Sequence, residues 1–89
     1  MSYTDDQIGE NRFVRTFSLK KSESELEWHR DDHARTVTVI SGRGWKFQRE
    51  DHLPVDLTPG DIVKIKKHEW HRIMTGDTGL VLEIQDEID

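Results

Sequence analysis

Two short segments of this chain carry side chains capable of chemistry. The first is Trp28-His29-Arg30-Asp31-Asp32-His33, followed by a Val/Thr/Ile run that ends at Ser41-Gly42. The second starts at the turn Thr58-Pro59-Gly60-Asp61, continues through Ile62-Val63-Lys64-Ile65, and reaches Trp70-His71-Arg72. Each segment carries a histidine at a strand end and is tied to a glycine turn, so in a small barrel the two can converge on one pocket. An imidazole placed there offers a base for proton transfer or a nitrogen ligand. Arg35 adds a planar guanidinium. It can fork onto the carboxylate or phosphate of a small ligand, or pair internally with Glu27 or Asp31.

The elements that must position these residues are all short and extended. Arg12 to Lys20 alternates, but both of its faces carry apolar residues, so its buried side is left open. Glu25 to Arg30 reads as a strand with Glu27 and His29 on one side. Arg35 to Ser41 is β-branched, with Val37 and Val39 on one face. Trp45 to Arg49 follows the Gly42-Arg43-Gly44 turn. Leu53 to Leu57 reads as an edge strand, because Pro54 cannot donate to a ladder. Pro59 and Gly60 occupy the central positions of a type II turn. Ile62 to Lys66, Trp70 to Met74 and Leu80 to Gln85 complete about eight strands at the spacing of a sandwich or barrel. No segment has a sustained helical period, and no internal repeat stands out. Residues 1–11 are polar and acidic without periodicity and read as a flexible arm or a strand that orders only on a partner. Residues 12–85 form the domain, and residues 86–89 read as an acidic tail.

Composition bounds the function. The chain has 89 residues, enough for one domain with a small core. Charged residues make up 35% and hydrophobic residues 33%, a lean balance that favours a homodimer. The absence of cysteine excludes disulfides and thiolate metal sites. A net charge of −5 argues against nucleic acid as partner. No apolar run suggests a leader or a membrane span, so no membrane partner and a cytoplasmic location are expected. Lys64 and Lys66 read as a solvated strand face. Nothing resembles a P-loop, a dinucleotide fold or a Ser-His-Asp triad.

The chain resembles the cupin superfamily from about Phe13 to Gln85. Gly60 and His71 stand at the spacing of the second cupin motif, with Lys66, His68 and Thr75 where that motif has Pro, Gly and Asn. Anchored on Gly42, the first motif places His29 and Asp31 on its two His positions and Arg35 on its Glu. Val39-Ile40-Ser41-Gly42, Trp70-His71-Arg72 and Leu82-Glu83-Ile84-Gln85 also resemble the cupin module of type II mannose-6-phosphate isomerases. The resemblance implies an all-β fold, a single antiparallel β-barrel or jelly roll.

It also implies a small-molecule site for a sugar, sugar phosphate or similar anion. If catalysis occurs, it is of the sugar-isomerase type, with His71 or His29 as base and Arg35 steadying an oxyanion. Arg35, Glu27 and Asp31 are then the substrate-binding candidates. The alternatives are a non-catalytic ligand-binding or accessory cupin, and a metal-dependent cupin. In the last, His29, Asp31 and His71, with His33 as a further candidate, hold one divalent ion such as Mn, Fe, Ni or Zn. Arg35 itself offers no lone pair to a metal. His52 and His68 read as surface residues, and Trp28, Trp45 and Trp70 as core or dimer-face residues.

Overall fold

The computed structural model describes residues 3–18 and 27–88. Eight strands follow in order: β1 (Tyr3–Gly9), β2 (Arg12–Phe17), β3 (Ala34–Ser41), β4 (Lys46–Arg49), β5 (Val55–Asp56), β6 (Ile62–Ile65), β7 (His71–Met74) and β8 (Leu80–Glu87). They form a five-stranded sheet ordered β1-β2-β8-β3-β6 and a three-stranded sheet ordered β5-β4-β7. Every pairing is antiparallel. The sheets face each other as a jelly roll without closing into a continuous barrel. No helix among the described residues is long and apolar enough to cross a membrane.

Alternation explains the core. In β8, Leu80, Leu82 and Ile84 are buried while Val81, Glu83 and Gln85 turn outward. In β3, Val37 and Val39 point inward, beside Ile65 of β6 and opposite Phe47 and Ile73 of the smaller sheet. Trp45 is buried, and its indole N–H donates to the Thr78 carbonyl at 2.7 Å. Thr58 to Asp61 is the expected turn: the Asp61 amide donates to the Thr58 carbonyl at 2.9 Å, and Gly60 has φ 95°.

The N-terminal segment departs from the sequence expectation. Tyr3–Gly9 is not a free arm but pairs along β2, from Tyr3 opposite Phe17 to Gly9 opposite Arg12. The reason lies in Arg15, which shares the inward face of β2 with Phe17 and is only 9% exposed. Asp5 of β1 accepts from Arg15 Nε at 2.8 Å and Nη2 at 2.9 Å. The Tyr3 ring covers the guanidinium at 4.1 Å. A polar strand is therefore held by a buried cation rather than by an apolar stripe. The acidic tail is likewise structured: Asp86 and Glu87 belong to β8. The strand expected over residues 25–30 lies partly outside the described residues, and in the remainder only His29 makes a ladder contact.

Breaking the Asp5–Arg15 pair from one side leaves a buried guanidinium without its bidentate partner. Asp5→Ala is expected to cost about 1–3 kcal/mol in urea denaturation. The double variant Asp5→Ala/Arg15→Met is expected to regain part of that loss, because the cation goes with its partner. Equal stability of Asp5→Ala and wild type would show that β1 is not anchored through this pair.

Candidate functional site

The site is built by a pairing that joins two copies of one tetrapeptide. Glu27-Trp28-His29-Arg30 and Glu69-Trp70-His71-Arg72 have the same sequence. They lie antiparallel, with the His29 amide donating to the His71 carbonyl at 3.0 Å and the His71 amide to the His29 carbonyl at 2.9 Å. The repeat is the sequence signal that a search for longer periods passes over. Because side chains alternate, both histidines face the core and both tryptophans face away from it. The imidazole centroids are 4.3 Å apart.

Each histidine is oriented by its own backbone. His29 Nδ1 lies 2.9 Å from the Glu27 carbonyl, and His71 Nδ1 lies 2.8 Å from the Glu69 carbonyl. A carbonyl only accepts, so Nδ1 carries the proton in each ring. In the neutral imidazole the lone pair then sits on Nε2, the form in which histidine ligates metals. Glu69 is held in turn: its carboxylate takes Arg49 Nη1 at 2.5 Å and the Lys66 amide at 3.1 Å. That brace closes the Lys66–Glu69 turn, where His68 adopts φ 62°. His68 stands where the resembled motif carries glycine, and the left-handed backbone explains that preference.

Asp31 completes the cluster. Its backbone carbonyl accepts from the His68 amide at 2.9 Å. Its Oδ2 lies 3.3 Å from His71 Nε2 and 3.7 Å from Arg35 Nη1. That oxygen is buried and has no hydrogen-bond partner. The contact with His71 becomes a hydrogen bond only when Nε2 also carries a proton. Otherwise two lone pairs face each other, a repulsion that a proton on Asp31 or a cation held between the two groups relieves. Arg35 does not stand as a free cation at the pocket wall. Its Nε donates to Asp86 Oδ1 at 2.8 Å and its Nη2 to Asp86 Oδ2 at 3.4 Å. Asp86 thus neutralises the guanidinium, and Asp31 leaves the cluster with an excess of one negative charge while both imidazoles are neutral.

Ligand atoms of His29, Asp31 and His71 all lie within 4.8 Å of one another, so among the described residues these three can hold a metal ion. His33 is exposed and outside the group. Glu27 is also exposed and contributes its carbonyl, not its carboxylate. The expectation that Glu27 shares a strand side with His29 therefore fails, because the chain bends at Glu27 instead of running as a strand. Arg35 makes an internal ion pair, chiefly with Asp86 and at 3.7 Å with Asp31, while Glu27 is not its partner. His52 and His68 are exposed. Two contributors were missed. Asp86 falls in the expected acidic tail, and Arg15, which lines the same cavity as His29, Arg35 and His71, sits in a strand apolar on both faces.

A two-sheet jelly roll with a histidine–carboxylate cluster inside one end defines a class of proteins. The cupin domain model matches residues 15–84, and the chain belongs to that family. No curated protein sequence matches it. Among solved structures it is similar to the DMSP lyase DddQ from Ruegeria pomeroyi, with TM-score 0.72 and 20% identity over 88% of this chain and 38% of that one. The chain thus spans well under half of the lyase. It is also similar, at TM-score 0.69 and 18% identity, to a cupin-2 domain protein from Shewanella frigidimarina, over 97% of this chain and 80% of that one. The same score and identity relate it to a candidate mannose-6-phosphate isomerase from Ralstonia eutropha, over 97% and 83% of the two chains. At these identities the likeness is one of fold.

The electrostatics of Asp31 give a pH dependence. Burial alone pushes its carboxyl up. The hydrogen bond from His71 and the charges of Arg35, His71 and His29 together hold it below the ordinary 3.8. A carboxyl lowered on folding stabilises the protein above its ordinary value, and that contribution is lost as pH falls through the lowered one. In chelator-treated protein, stability is therefore expected to fall more steeply below pH 3.8 in wild type than in Asp31→Asn. Parallel acid limbs in urea titrations would remove Asp31 as the linked group.

Proposed function

We propose that this cupin holds one divalent transition-metal ion through His29, Asp31 and His71 and presents it to a small anionic ligand. The observation that carries the reading is the buried Oδ2 of Asp31, without a hydrogen-bond partner and 3.3 Å from His71 Nε2, which in the neutral ring has no proton to give. Two imidazoles and one carboxylate form a donor set suited to Fe, Mn, Ni or Zn, with positions left open for a ligand. When bound, such an ion polarises an oxygen of its ligand as a Lewis acid. His29 and His71 then serve as ligands held in the right tautomer by Glu27 and Glu69, not as proton carriers. Arg35 and Asp86 orient Asp31 from behind.

The size of the interior supports a small ligand. The cavity around the cluster is about 40 Å³ and lined mainly by apolar side chains such as Phe17, Phe47, Leu82 and Ile84. It has room for one or two waters, not for a hexose phosphate. A carboxylate or phosphate end can reach the cluster only from its mouth, with the rest of the molecule outside. The fold likeness to the candidate mannose-6-phosphate isomerase supports sugar phosphates as the first compounds to try.

The test is metal content and calorimetric titration with Mn, Fe, Ni and Zn. About one ion per chain is expected in wild type, and none in His71→Ala. Asp86→Asn is expected to bind about 10–100-fold more weakly, since Arg35 then keeps its charge beside the ion. Failure of all four metals to bind, or equal binding by His71→Ala, would sink the reading.

A further inference from the structure

The outward face of the same strand pairing carries a second, chemically different constellation. Trp28 and Trp70 are 41% and 39% exposed, high for the largest aromatic side chain. Each is already stacked with a guanidinium from the other copy of the tetrapeptide. Arg72 lies 4.8 Å from the Trp28 ring centroid, and Arg30 lies 5.3 Å from that of Trp70. These are direct cross-strand neighbours, since His29 pairs with His71. The two indoles also wall a cavity of about 280 Å³ whose other lining residues are Glu50 and Asp51, at the tip of the hairpin after β4. The Glu50 amide donates to the Trp70 carbonyl at 3.1 Å, which fixes that tip against the aromatic pair. Among the described residues neither carboxylate has an ion-pair or hydrogen-bond partner.

The cavity itself is lined by two indoles and two unpartnered carboxylates; the guanidiniums of Arg30 and Arg72 stack on the indoles but are not among its lining residues. The indole faces are electron-rich and attract cations, most strongly those with diffuse charge and a thin hydration shell. The carboxylates supply counter-charge and repel anions. A metal ion is poorly served, because no histidine lines the cavity and the walls are apolar. We infer that this outer cavity binds an organic cation of the quaternary ammonium class. Trp28 and Trp70 supply its aromatic walls, and Glu50 and Asp51 supply its counter-charge. The site is separate from the inner cluster, lying on the opposite face of the His29–His71 pairing.

The experiment follows the three indole N–H signals of the ¹⁵N-labelled full chain by NMR, with Trp45 as the buried internal control. The probes are tetramethylammonium, choline, and 3,3-dimethylbutan-1-ol, the neutral isostere of choline, at matched ionic strength. Saturable shifts of Trp28 and Trp70 with both cations are expected, with Trp45 unmoved and the neutral isostere about tenfold weaker. The double variant Glu50→Gln/Asp51→Asn changes only an exposed turn. Asn also suits the left-handed φ of 61° at position 51. It is expected to weaken cation binding about tenfold at unchanged fold. A trimethyl-lysine peptide binding at least about tenfold tighter than tetramethylammonium would assign the cation to a modified side chain, and equal affinity to a free small molecule. The proposal is overturned if the isostere binds as well as choline, if methyl glucoside moves the same signals instead, or if no signal moves.

Discussion

The site depends on one backbone contact, the reciprocal hydrogen-bond pair between His29 and His71. The two residues are far apart in sequence and belong to different limbs of the chain. Their pairing sets the phase of both tetrapeptides at once. With that register, two imidazoles meet inside and two indoles stand outside. A slip of one residue would bury the tryptophans and expel the histidines, because side chains alternate strictly along extended backbone. The inner and outer faces are therefore consequences of a single choice of register.

Charge is the second constraint. Two guanidiniums, Arg15 and Arg35, reach into a mainly apolar interior, which a lone charge could not do. Each is met by a carboxylate from a neighbouring strand: Asp5 on β1 and Asp86 on β8. These pairs give the polar edge strand β1 and the polar end of the central strand β8 a reason to stay in the sheet. They also permit an arginine where the resembled motif carries glutamate. Asp86 removes the charge of Arg35 from the balance, and Asp31 is left as the carboxylate facing the histidines. The carboxylate facing the histidines therefore comes from the loop before β3, not from the start of β3.

Much of the fold was legible. The β-branched run of β3, the alternation of β8 and the Thr58–Asp61 turn all announce themselves through local rules. Gly42 and Gly60 mark positive φ at 137° and 95°, as their places in the resembled motifs imply. The candidate site was legible in part: His29, Asp31, Arg35 and His71 lie beside one another. Strand β1 was not legible, because its pairing rests on Asp5 and Tyr3 meeting Arg15, not on an apolar face. The role of Asp86 was hidden because its partner is 51 residues away. Of the core and dimer-face positions expected for Trp28 and Trp70, the core is ruled out, and their outward position follows from the register of the histidines beside them.

What the sequence by itself determined was local: where strands run, where glycine or a left-handed residue must turn the chain, and which residues share a face. Those properties depend on neighbours within a few positions, through backbone sterics and side-chain alternation. The tertiary structure alone decided the partners. It chose Asp86 for Arg35, Asp5 for Arg15, and one Glu-Trp-His-Arg copy for the other. Such choices are made by hydrogen bonding and burial between segments that the chain brings together only when it folds.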